Sequence, residues 1–104
     1  VSHMVRGRYS ICHLTDEPSR LVIVLQSHLI QHYETLIVAP LMPFGFAQRV
    51  KALNPIIEFK NTKYLLIMDK MSAVNVESLS RPLGSAEAQH DAISNALDYI
   101  FKGF

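Results

Sequence analysis

Apolar residues in most of this chain come in short runs cut by turn residues, and only its last fifth repeats with a helical period. Arg8–Leu14 alternates loosely, with Tyr9, Ile11 and His13 on one face, which predicts a first strand. Thr15-Asp16-Glu17-Pro18-Ser19 is a turn cluster. Leu21–Leu25 is a β-branched run of strand length, buried on both faces if central in a sheet. A polar, irregular stretch over Leu29–Glu34 precedes a third strand, Thr35–Leu41, with Pro40 and Pro43 ending it. Phe44–Leu53 fits either a short helix or a loop.

Pro55–Lys60 and Lys63–Met68 form a strand pair joined at Asn61-Thr62, where Asn tolerates positive φ in a tight turn. Val74–Leu79 supplies one further short strand. After Leu83-Gly84-Ser85 the period changes. Ile93, Ala96, Leu97, Ile100, Phe101 and Phe104 fall on one helical stripe, with Ser85 as N-cap, Glu87 near the positive end and Gly103 at the stop. The order, several strands and then one C-terminal helix, predicts a mostly β domain of antiparallel strands, either α+β or a small barrel.

Composition narrows the class. The 104 residues are 49% hydrophobic and 18% charged, with a formal net charge of +1. That is one domain, too apolar for disorder and too evenly charged for a polybasic nucleic-acid or membrane binder. Cys12 is the single cysteine, so no disulfide framework exists. Leu36–Phe46 is the longest apolar stretch and falls short of the ~18–20 residues a membrane span needs. No secretory leader pattern opens the chain, and a cytoplasmic location is expected. Val1-Ser2-His3 reads as a remnant of an expression vector, leaving a domain over 4–104.

Little in the sequence points to chemistry. No phosphate-cradling glycine loop, serine-nucleophile elbow or zinc-protease motif occurs. Cys12 lies mid-strand as a small buried hydrophobe. His28 and His32 are four apart, but no helix signal surrounds them and no third ligand has recognisable spacing, so no metal is expected. His90 sits on a wet helix face with Gln89 and Asp91. Met68 and Met71 fit either core filling or a contact surface. The informative feature is the apolar stripe that runs to the final residue. Phe104 at a helix tip is either tucked into the fold or held for a partner.

Several segments taken in order resemble the CcdB toxins. Arg20–Ser27 looks like that family's second strand with its closing Gln-Ser, and Val38-Ala39-Pro40-Leu41 is similar to its V-x-P-L strand. Met71-Ser72-Ala73-Val74 resembles the segment after its long hairpin, Leu83-Gly84 its apolar-Gly step, and Ile93–Phe104 its terminal helix. The resemblance implies an SH3-like barrel, a homodimer, and a toxin of a type II toxin–antitoxin system. It implies binding to the A subunit of DNA gyrase, trapping of the cleaved-DNA complex, and neutralisation by a CcdA-like antitoxin. No cofactor, metal or direct nucleic-acid contact is implied, and the toxin is not an enzyme.

Carried over by position, the gyrase contacts fall on Ser27, Leu29, Ile30, Asp98, Phe101, Lys102, Gly103 and Phe104. The chain departs from the family at its end: Lys102 replaces a tryptophan, Phe104 replaces an isoleucine, and Asp98 stands for an asparagine. Losing a tryptophan hot spot costs ~2 kcal/mol, about thirtyfold in affinity. Two alternatives follow. One is a non-toxic module of the same fold that binds an antitoxin. The other is an RNase-type toxin, since the fold resembles that of the RNA-cleaving MazF-like toxins. That chemistry would draw on His28 or His32 with Arg20, Arg49 or Lys51.

Overall fold

The computed structural model describes residues 7–26, 35–45 and 52–102. Seven strands form one antiparallel sheet: β1 (Ser10–His13), β2 (Leu21–Val24), β3 (Thr35–Pro43), β4 (Ile56–Phe59), β5 (Thr62–Leu66), β6 (Ser72–Asn75) and β7 (Gly84–Ser85). Their hydrogen-bonded order is β4-β5-β3-β2-β1-β7, with β6 also paired to β3. One helix, α1 (His90–Lys102), follows. The predicted fold class is therefore the observed one: mostly β, a nearly closed antiparallel barrel with a C-terminal helix.

β2 is buried on both faces, as its unbroken apolar run requires. Ile23 and Leu25 join Ile11, Ala39, Leu41, Ile57, Leu66 and Met68 in the main core, which Ile93 and Ala96 of α1 cover. Val22 and Val24 point the other way, into a smaller cluster with Cys12, Leu36, Val38 and Leu79. Cys12 is fully buried there. The two alternating sets give the sheet two separately covered faces.

β3 runs to Pro43, two residues beyond the expected end at Leu41, with Pro40 inside it. Leu25 donates its N–H to the Ile37 carbonyl at 2.9 Å. By antiparallel alternation, Val22 and Pro40 then form a pair without mutual hydrogen bonds, and the Pro40 nitrogen faces away from β2. On that far edge the partner strand is interrupted. Leu41 pairs with Leu66 of β5 and Val38 with Ser72 of β6. Between these pairs, residues 39 and 40 of β3 thus face residues 67–71 of its partner, and the surplus is taken up by the 3-10 turn Met68–Lys70. A proline is tolerated where the ladder is already broken.

Three other boundaries move from their sequence positions. The β4–β5 turn is centred on Lys60 and Asn61, with φ of 51° and 62°, one residue earlier than expected. Both central residues at positive φ fit the twist of a two-residue hairpin, which outweighs the cost of a non-glycine at Lys60. The strand expected over Val74–Leu79 is β6 plus a 3-10 turn, Val76–Ser78, and a bridge from Leu14 to Leu79. The helix begins at His90, after a 3-10 turn at Glu87–Gln89. Ser85 is not the N-cap expected of it: Ala86 holds that position in the 3-10 turn, and the Ser85 hydroxyl accepts the Glu87 N–H at 3.1 Å from one residue earlier.

The ends of the strand order meet without hydrogen bonding between them. An added Cβ at Gly84 of β7 would lie 2.7 Å from Cε1 of Phe59 on β4. The Phe59 ring therefore closes the barrel seam by lying on bare backbone. Across the barrel, the Tyr9 and Ser94 hydroxyls lie 3.3 Å apart and tie α1 to the start of β1. No helix among the described residues is long and apolar enough to cross a membrane.

A groove at the end of the C-terminal helix

The main core does not extend to the end of α1. Ile93 and Ala96 are buried, Leu97 and Ile100 pack against the core, and Phe101 is 73% exposed. The sequence stripe placed Phe101 among the buried positions. It lies instead at the margin of the stripe, one turn beyond Leu97, beside a groove that it shares with Leu25 and Ile37 of the sheet.

The sheet side of this site is built by the way β2 stops. Leu25 continues the ladder by donating to Ile37, but the reciprocal Ile37 N–H does not go to a backbone carbonyl. It goes to Oε1 of Gln26 at 2.9 Å. The Gln26 side chain thus stands in for main chain and lets the chain leave the sheet after one more residue. Replacing Gln26 with alanine orphans the Ile37 N–H and is expected to destabilise the domain by about 1–2 kcal/mol. Hydrogen exchange should show faster exchange at Ile37, with β1 unaffected.

These two chain ends converge on one groove of about 420 Å³. Leu25, Gln26 and Ile37 form the sheet side, Leu97 and Phe101 the helix side, and Met71 and Arg8 complete it. Met71 follows the 3-10 turn that breaks β5 from β6, so the same register shift that admits Pro40 delivers it here. Arg8 is the one charged residue of the lining among the described residues, and its guanidinium lies 5.1 Å from the centroid of the Tyr9 ring. Tyr9 itself is held at φ 73°, its N–H donated to Val24 at 2.7 Å. The groove is thus an aliphatic and aromatic surface with a single guanidinium at its rim, suited to binding an apolar projection.

Of the eight residues placed by resemblance, Asp98, Phe101 and Lys102 are described, and all three are exposed on the last turns of α1. Phe101 enters the groove. Asp98 and Lys102 sit one turn apart on the outward face, and Lys102, in the last turn, suits the negative end of the helix dipole. Ser27, Leu29, Ile30, Gly103 and Phe104 lie outside the described residues, as do His28, His32, Arg49 and Lys51. Ser27 directly follows the groove residue Gln26, and Gly103 directly follows Lys102. Sequence alone missed Arg8, Leu25, Ile37 and Leu97 as a lining; the adaptable Met71 was the one residue with a signal.

The remaining candidates are ordinary. His90 is exposed, with Nδ1 3.2 Å from the Asp91 carboxylate. Asp69 and Lys70 form an exposed turn, and Met68 is core. No group of three or more metal-ligating side chains occurs among the described residues.

A sequence profile of the family described as "CcdB protein" matches residues 9–103. Two solved structures are similar in fold. One, described as "Crystal structure of Mtb toxin", superposes with a TM-score of 0.70 at 22% identity, over 90% of this chain and 99% of its own. The other, "Mycobacterium tuberculosis toxin MazF-mt6", gives 0.69 at 21% identity, over 96% and 97%. A search of curated proteins returned no match.

Proposed function

The chain belongs to the CcdB family of toxin–antitoxin toxins, and we propose that it binds the A subunit of DNA gyrase through the helix-end groove and traps the cleaved-DNA complex. The single observation that supports this reading is the convergence of two distant segments. The exit of β2 at Gln26 and the exposed Phe101 share one apolar groove. The action is by binding and needs no catalytic group of the toxin's own. A homodimer would double the site across a two-fold axis, matching a dimeric target. A CcdA-like antitoxin is the expected second partner, in the bacterial cytoplasm.

Lys102 tunes this reading. A cation now stands where the family carries an aromatic anchor, so apolar contact rests on Phe101 and Phe104. Lys102→Trp is expected to strengthen gyrase binding several-fold, measured by the toxin concentration needed for half-maximal cleavage-complex trapping. Unchanged trapping would show that the position is outside the contact.

An RNA-cleaving toxin is the second reading, favoured by the fold likeness to the toxin MazF-mt6. Of the residues that such chemistry would use, the described one is Arg20, which is exposed and ion-paired with Glu17 at 3.3 Å. The deciding experiment incubates the purified protein with gyrase, supercoiled DNA and ATP, and in parallel with cellular RNA. Linear DNA released after detergent and protease, with intact RNA, is the expected result. RNA fragments without cleaved DNA would replace the first reading with the second.

A further inference from the structure

Arg8 is exposed at the rim of the helix-end groove and takes part in no ion pair among the described residues. Its guanidinium lies over the Tyr9 ring, 5.1 Å from the centroid. A guanidinium held over a ring face keeps its in-plane N–H donors for another partner. Tyr9 is a fixed platform for it. The ring is buried, and its hydroxyl lies 3.3 Å from that of Ser94 on α1. The Tyr9 N–H is donated to Val24 at 2.7 Å, and its carbonyl accepts the Ala86 N–H at 2.8 Å. A φ of 73° is rare for a bulky side chain and persists only where the surroundings over-determine it. Two backbone hydrogen bonds and a buried ring do so here, and the residue held in this way is the one that carries Arg8 to the groove.

We propose that Arg8 sets the specificity of the helix-end groove by receiving a carboxylate of the target, next to the apolar side chain that docks against Leu97 and Phe101. The assignment rests on the gyrase reading and states which A subunits the toxin selects: those with an acidic residue beside the docked apolar one. Charge complementarity identifies the partner. The rest of the described lining is apolar apart from Gln26, whose Oε1 is already used by the Ile37 N–H. An apolar projection without an acid would cover Arg8 and leave it unpaired, and one with a cation would be repelled. A nucleic acid fits less well. A phosphate chain is held by several cations, whereas the described lining offers one guanidinium, which suits a single carboxylate.

The test is a calorimetric titration of the gyrase A subunit with the whole toxin, without DNA, at low and at high salt. Wild type is compared with Arg8→Gln, Arg8→Lys and Phe101→Ala, each checked for an unchanged melting temperature. Arg8→Gln is expected to weaken binding about tenfold at low salt and to flatten the salt dependence. Arg8→Lys should recover part of the affinity, since lysine keeps the charge but not the two-pronged fork. Phe101→Ala should weaken binding and leave the salt dependence as it is, so lost packing does not imitate a lost charge pair. Weakening by Phe101→Ala with no effect of Arg8→Gln would overturn the specificity assignment and leave the gyrase reading standing. An Arg8 effect that arises only when DNA is added would overturn it in favour of a phosphate contact. Failure of the wild-type toxin to bind at either salt would overturn both.

Discussion

Phe101→Ala is expected to leave the fold intact and to lower gyrase cleavage-complex trapping about thirtyfold or more. The side chain is 73% exposed, so its removal takes almost nothing from the core. It is also the one aromatic among the described residues of the helix-end groove, and truncating an interface aromatic costs ~2 kcal/mol or more of binding. Deleting Gly103 and Phe104 should act in the same direction, removing the last apolar residue beyond the helix. The control is thermal unfolding, which should move by no more than a few degrees. A Phe101→Ala protein that is folded and fully active in trapping would exclude this groove as the contact.

The largest expected stability effect lies elsewhere, at the barrel seam. Gly84→Val should destabilise the domain by about 2 kcal/mol, lowering the melting temperature by roughly 8–16 °C. The cause is contact, since a Cβ there would sit 2.7 Å from Cε1 and 3.4 Å from Cδ1 of the Phe59 ring. The ring must then leave the β7 backbone, opening the seam between β4 and β7. Lys60 leans over the same ring, with Nζ 5.3 Å from its centroid, which adds to what is displaced. Phe59→Ala in the Gly84→Val background should cost less than the two changes summed, because the second removes the clash created by the first. Strict additivity in the double-mutant cycle would mean that the two residues do not close the barrel together.

The functional and stability predictions separate because the helix has two ends with different tasks. Its first half is anchored by Ile93 and Ala96 in the core and by the Tyr9–Ser94 hydroxyl contact. Burying Ile93 contributes about 1.5–3 kcal/mol, which lets the last turn carry an exposed Phe101 without losing the fold.

Much of this arrangement was already determined by the sequence. The both-faced burial of Leu21–Val24 follows from an unbroken β-branched run, which has no polar face to give to water. The helix follows from the spacing of Ile93, Ala96, Leu97 and Ile100, the hairpin from the turn around Asn61, and the absence of disulfides from a single Cys12. The ordered likeness of several weak segments was enough to indicate the family, because order and spacing along a chain are themselves sequence information.

Only the tertiary structure decided what depends on contacts between distant positions. Pro40 lies inside β3 because the opposing strand is broken there, a fact held by Met68–Lys70 and not by any neighbour of Pro40 in sequence. Helical periodicity placed Phe101 on the buried stripe, yet it is 73% exposed and borders an open groove, because burial requires something to pack against. The helix-end groove joins Arg8, Gln26, Ile37, Met71 and Phe101, which share no period or motif. The seam of Phe59 on Gly84 is a distance between the two ends of the strand order. Local pattern sets which faces must be covered, whereas strand register and element length set what covers them.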